Sequence, residues 1–172
     1  MVSTNIGTSI LVALGSPVTY DQSGYEAMSF AACGNVTQLD EIGGKSDVSS
    51  YDDMSDGITR KLPGTTNYGS SSIKMAFNKE DFGQLVLANG FDGANKGLEH
   101  SFAIVDSSGS AIWFTSRIFS FAIEYGSTGD IIMSSVNIEI NSTLTASDSV
   151  AVITEPDYSN GQYTWSDSFE WS

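Results

Sequence analysis

Three segments of this chain alternate apolar and polar residues with a period of two, and helical periodicity is nearly absent elsewhere. From Ser70 to Asn78, Ile73, Met75 and Phe77 fall on one side, with Ser72, Lys74 and Ala76 on the other. From Phe119 to Tyr125, Phe119, Phe121, Ile123 and Tyr125 oppose Ser120, Ala122 and Glu124. From Ile131 to Ser142, Ile132, Val136, Ile138 and Ile140 oppose Met133, Ser135, Asn137, Glu139 and Asn141. Side chains of a strand point alternately to its two faces, so these segments read as half-buried strands. One apolar and one polar face suits an antiparallel sheet with water on one side. The pattern predicts a mainly β fold, an antiparallel sandwich or barrel.

Other segments fill in the order of elements. The apolar run Ser9–Gly15 stops at Ser16-Pro17, a turn signal, and Tyr25–Ala32 reads as a second short strand. Leu98–Val105 leads through Asp106-Ser107-Ser108-Gly109 into a long strand from Ala111 to Tyr125. A single flanking helix is predicted over about residues 79–89. Asn78 would cap it, Glu80 and Asp81 would occupy the first turn, and Asn89-Gly90 would end it. Phe82, Leu85 and Val86 give it an apolar stripe. Residues 43–67 show no such pattern and are expected to form a long loop. Connections above about 12–15 residues are usually functional or disordered.

Composition narrows the functional classes. A chain of 172 residues suits one domain, and its 11% aromatic content argues against disorder. The single cysteine, Cys33, excludes a disulfide framework and a cysteine-rich metal site, and the single histidine, His100, excludes a histidine-built one. Seven basic against 21 acidic residues give a formal net charge of −14, the opposite of what phosphate binding by counterion release requires. A Ser–His–acid triad would have to use His100, whose neighbours Glu99, Ser101 and Phe102 form no nucleophile motif. Cys33 has no base nearby and reads as a small buried hydrophobe. Asp52, Asp53, Asp56 and Gly57 lack the spacing of a calcium loop. Nothing in the chain points to an enzyme, a cofactor or a metal. The stretch Met1–Val18 has no cationic n-region, and the run Ile10–Leu14 is too short to span a bilayer, so a cytosolic product without a cleavable export signal and without membrane insertion is expected.

One block is more specific. Asn35-Val36-Thr37-Gln38-Leu39 is followed by Gly43-Gly44, by Asp47-Val48-Ser49 and by Asp52-Asp53-Met54. Ser55-Asp56-Gly57-Ile58-Thr59-Arg60-Lys61-Leu62-Pro63-Gly64 comes next, then Asn67-Tyr68-Gly69. This order resembles the tail tube (major tail) proteins of long-tailed, non-contractile phages and gene-transfer particles. In that family a Val–Thr strand leads into an acidic loop, an Arg–Lys–x–Pro–Gly turn and a strand opening with Tyr-Gly. The resemblance covers Val18 to Thr143.

The resemblance implies a β-sandwich or barrel with one flanking helix, in which six copies form a ring and rings stack into a tube that conducts DNA. It implies a structural virion protein of the tail, assembled in the host cytoplasm. Its partners would be itself, the tail-tip and tail terminator proteins and the tape measure protein inside the tube. Carried over to this chain, the inter-ring loop is Gly43 to Asn67, with Asp47, Asp52, Asp53, Arg60 and Lys61 as polar contacts and Pro63 and Gly64 shaping its return. An acidic conduit would repel phosphates and let DNA slide without binding. Glu124 and Glu139 on the polar strand faces are candidates for the lumen, with Ser120, Ser135 and Asn137 as neutral lining. Strand order is not readable from sequence, so the same faces fit either lumen or outer surface.

The tail-tube domain is expected over 1–145, with an acidic, aromatic extension over 146–172. There Tyr158, Tyr163, Trp165, Phe169 and Trp171 suit either packing on the same sheet or a surface for an outer partner or glycan. Alternatives for the whole chain are a tail terminator, another ring-forming tail protein, or a carbohydrate-binding β-sandwich module.

Overall fold

The computed structural model describes residues 4–150. In chain order it contains β1 (Ser9–Leu14), α1 (Gln22–Glu26), β2 (Ala31–Cys33), β3 (Val36–Leu39), β4 (Lys45–Asp52) and β5 (Thr59–Asn67). There follow β6 (Ser70–Ala76), α2 (Phe82–Asp92), β7 (His100–Val105), β8 (Ala111–Glu124), β9 (Met133–Ile140) and β10 (Thr145–Ser147). One sheet runs β2-β1-β7-β8-β9-β6-β3, with β10 paired to β8, and every pairing in it is antiparallel. Among the described residues, strands β4 and β5 pair only with each other.

The sheet cannot be flat. Its end strands, β2 and β3, are separated in sequence only by Gly34 and Asn35. Seven strands laid flat would place those ends about 29 Å apart at the usual inter-strand spacing. Three residue steps reach about 11 Å at most. The sheet therefore curls until its two ends meet at a corner. Asn35 turns that corner with φ of 57°, in the left-handed region that asparagine tolerates better than most residues.

Helix α2 seals the corner. Asp81, not Asn78, is its N-cap: one carboxylate oxygen accepts the Gln84 N–H at 2.9 Å, while the other accepts the Gly34 N–H at 2.8 Å. Gln84 is fully buried beneath it. Its amide donates to Ala76 O at 2.9 Å and Gly34 O at 3.4 Å, and its oxygen accepts the Asn78 N–H at 3.2 Å. The helix starts later than its sequence suggests because a carboxylate at position 81 serves two donors at once, whereas Asn78 caps only a preceding turn through Glu80 N–H. Its far end continues through Gly90 to Asp92 because burial overrides the Asn-Gly stop. A Cβ at Gly83 would strike the backbone of Ala32 and Cys33, and one at Gly90 would strike His100 and Ile118. Glycine is what lets this helix lie so close to the sheet.

The sheet is buried on both faces along β1, β7 and the first half of β8. On the α2 side, Ile10, Val12, Ile73, Met75, Leu87, Val136 and Ile138 pack around the stacked rings of Phe102 and Phe114, whose centroids are 5.4 Å apart. On the other side, Trp113 stacks on Tyr25 at 5.7 Å, leans on Phe30 at 5.5 Å and donates from Nε1 to Ser147 Oγ at 3.0 Å. Two-sided burial is why β1 reads as an unbroken apolar run and not as an alternation. The predicted strand over Tyr25–Ala32 resolves differently. Asp21 caps the short helix α1, which delivers Tyr25 to the second core, and only Ala31–Cys33 is strand. There are thus two flanking helices in the described chain.

The alternation seen in sequence holds on β6 and β9, with Ile73 and Met75, and Val136, Ile138 and Ile140, turned inward. On β8 it is broken by a register shift between Ile118 and Ser120. Phe121 stays buried and Ile123 half-buried, but Phe119, the extra residue, is thrown outward at 59% exposure. β10 straddles the expected boundary at residue 145, and the extension aromatics from Tyr158 to Trp171 lie outside the described residues.

Two outcomes follow. Asp81→Ala removes a helix cap and strands the Gly34 N–H, so it should cost about 2–4 kcal/mol in urea unfolding. A loss under about 0.5 kcal/mol, the range of ordinary surface substitutions, would contradict the corner's role. His100 is fully buried, with Nδ1 3.0 Å from Leu98 O and Nε2 without a partner, and burial holds its pKa below the ordinary 6.5. The unfolded state then takes up a proton that the native state resists, so stability is complete above pH 6.5 and declines as pH falls below it. The urea midpoint should drop between pH 7.5 and 5.5, and His100→Gln should flatten that slope. Asp21, Asp53 and Asp106, held below their usual range mainly by hydrogen bonds, lose their contribution only under about pH 4, a separate window.

Candidate assembly surfaces

The stretch expected as a long loop is a hairpin arm. Every residue of β4 and β5 is exposed, and their pairing runs from Lys45 opposite Asn67 to Asp52 opposite Thr59. The return turn is Asp53–Ile58, closed by Asp53 N–H to Ile58 O at 3.1 Å and Gly57 N–H to Asp53 O at 2.8 Å. Pro63 and Gly64 are therefore not the turn. They lie within β5, where the register slips opposite Asp47, and Thr65 Oγ1 donates to the Asp47 carboxylate at 3.3 Å. The arm was unreadable as strand because no core imposes alternation on it.

The charged residues of the arm separate into two groups. At the tip, Arg60 binds Asp56 at 2.6 Å and Asp53 at 3.3 Å, while Thr59 donates to Asp52 at 2.7 Å. Donation from the Ser55 hydroxyl and N–H, with help from Arg60, keeps Asp53 below the usual carboxylate range. Those groups fold the tip upon itself. Lys61, across from Ser50, is in no ion pair among the described residues. Apolar side chains accompany it: Val48, Tyr51, Met54, Ile58 and Leu62 are all more than half exposed. An isolated two-stranded hairpin is marginal in water, and among the described residues nothing covers the apolar surface of this one.

The five lumen candidates come together. On the outer face of β6, β9 and β8, Ser70, Glu139 and Arg117 form one cross-strand row, and Ser72, Asn137 and Ser120 the next. Lys74, Ser135 and Ala122 follow, then Ala76, Met133 and Glu124. Neither helix covers this face; α2 packs on its opposite side, against Phe121 and Val136. Its charge differs from the acidic lining anticipated from sequence. Lys74 and Arg117 balance Glu124 and Glu139, and Arg117 also lies 3.9 Å from Glu99. The sequence alone puts Lys74 on the polar side of β6; the register brings it and Arg117 onto the same face as the two glutamates.

His100 and Cys33 are buried in the core, and burial pushes the Cys33 thiol far up. Among the described residues no group of three or more His, Cys, Asp or Glu is placed to hold a metal ion, and no helix is long and apolar enough to cross a membrane.

The fold as a whole is shared with solved structures. The chain is similar to one in the tail of an empty gene transfer agent particle, at 14% identity and a TM-score of 0.60, covering 83% of this chain and 97% of that one. It is similar to the SPP1 tail tube at 15% identity and a TM-score of 0.62, covering 86% and 80%. A chain of the native gene transfer agent virion matches at 13% identity and 0.59, covering 85% and 99%. This is a tail-tube fold. No protein-family model and no curated protein matches the sequence. At such identities the likeness is one of backbone, and the surface chemistry of this tail-tube fold has to be read from its own residues.

Proposed function

We propose that this chain is a non-catalytic structural subunit whose copies associate into hexameric rings that stack as a phage-type tail tube, a conduit for DNA. The observation that carries this reading is the arm: about a seventh of the chain forms a hairpin whose two strands are exposed throughout and contribute nothing to its own core, on a fold shared with tail tubes. The related gene transfer agent tail has C6 symmetry. A hairpin that leaves one subunit and docks on a different patch of another is a heterologous contact, which generates an open stack.

In this reading the arm makes the inter-ring contact. Lys61 meets the neighbour, Asp52, Asp53 and Arg60 keep the tip folded, and Asp47 with Pro63 and Gly64 sets the bulge that twists the strand pair. The uncovered face bearing Ser120, Glu124, Ser135, Asn137 and Glu139 lines the channel. Its charge balance and small hydroxyl and amide groups give DNA no cationic track to grip, and the chain's overall negative charge keeps phosphates off the wall. The assembled tube belongs to a virion tail, with tail-tip, terminator and tape measure proteins as further partners.

Negative-stain electron microscopy of the purified chain over a concentration series tests the reading. Hollow rings or tubes are expected. Lys61→Glu should shift their appearance to at least tenfold higher concentration while moving unfolding free energy by less than about 0.5 kcal/mol, as for other exposed sites. Discrete monomers at every concentration, with tail-tip protein added as a template, would overturn it.

A further inference from the structure

We infer that β5 of one copy seats in a groove at the root of another copy's arm, with Lys61 against a ring of carboxylates there. The inference rests on the self-assembly proposed above and names the surface that receives the arm.

The groove is a product of the curled sheet. β3 pairs only with β6 among the described residues, so its other edge is open. Every residue from Val36 to Glu41 lines a half-open groove of about 580 Å³, as a strand does when it presents its edge. Across the gap lies the cross-strand row Ile10, Ile104 and Ile112. With Val36 and Leu39 these give the groove an apolar floor. An open edge beside an apolar floor is the arrangement that accepts an added strand.

Charge selects the occupant. Asp40, Glu41, Asp106 and Asp148 line the groove, and no lysine or arginine does. In a chain of net charge −14, most surfaces of a second copy would be repelled. β5 is an exception: its nine residues include Arg60 and Lys61 and no acid. Arg60 is engaged by its own tip, which leaves Lys61 as the cation of β5 that is in no ion pair among the described residues. Pro63 shares a face with Lys61, and Val48 stands opposite Pro63, so the lysine has apolar neighbours suited to the floor on its root side, while Thr59 and Asp52, bonded to each other, lie on its tip side.

The occupant is another copy and not the same chain. Asp40 and Glu41 sit immediately before the arm, whereas Lys61 lies six residues out from its root at Asn67, about 20 Å along an extended strand. Root groove and outer arm are different patches, so each copy offers one of each and the contact propagates without closing.

Cross-linking between full-length chains tests the seat. One chain carries Lys61→Cys, and a second, differently tagged chain carries Glu41→Cys; both sites are exposed, and native Cys33 is buried and silent. Mixed and treated with a short bis-maleimide, they should give a 61–41 product at least tenfold above a Lys61→Cys and Lys96→Cys pair. Reversing both charges, Lys61→Glu with Glu41→Lys, should restore the assembly that Lys61→Glu alone loses. Tubes without the 61–41 product would overturn the seat and leave self-assembly standing. The product in dispersed dimers that never form tubes would keep the seat and reject the tube. Absence of both product and assembly would reject both.

Discussion

The carboxylate of Asp81 holds two backbone N–H groups that belong to different layers of the molecule. One starts helix α2, at Gln84, and the other fixes the corner at Gly34, where the sheet's two ends meet. Beneath it the buried Gln84 amide ties the same corner to the end of β6. A buried polar network is costly unless its members are satisfied, and here the side chain is bonded at both its nitrogen and its oxygen. Without that junction the two ends of the sheet would lose their fixed corner, α2 would lose its register against the sheet, and the groove beside β3 would have no defined shape.

Closing the sheet leaves a characteristic remainder. The interior of the curl is filled by α2, and the back of β1, β7 and β8 is covered by α1, Phe30 and the Trp113 cluster. Among the described residues, the polar face of β6, β9 and outer β8, the open edge of β3, and the arm stay uncovered. These are not random leftovers of packing. The face is rich in serine, the edge borders an apolar floor rimmed by acids, and the arm brings cationic and apolar groups. Each is unfavourable or idle in an isolated subunit and useful between copies.

Period-two alternation made β6 and β9 legible because each has one face in the core and one in water, and the lumen candidates could be named for the same reason. Where burial is two-sided, as on β1, or absent, as on β4 and β5, the pattern carries no phase, so the first read only as an apolar run and the arm as a loop. The α2 cap was misplaced because Asp81's second partner, Gly34, lies 47 residues away, a contact no local rule encodes. Phe119 was assigned inward because a single-residue bulge shifts parity without any sequence mark. The balance of charge on the polar face needed the register that pairs Lys74 with Ser135 and Arg117 with Glu139.

The central claim, that the arm is built to be covered by another copy, is tested most directly by amide hydrogen exchange of residues 45–67 in dilute and in assembled protein. The prediction is rapid exchange over Lys45–Asn67 in the monomer, with protection of β5 and of Val36–Glu41 rising together, at least tenfold, on assembly. An arm that keeps exchanging at its monomer rate inside rings or tubes would contradict it.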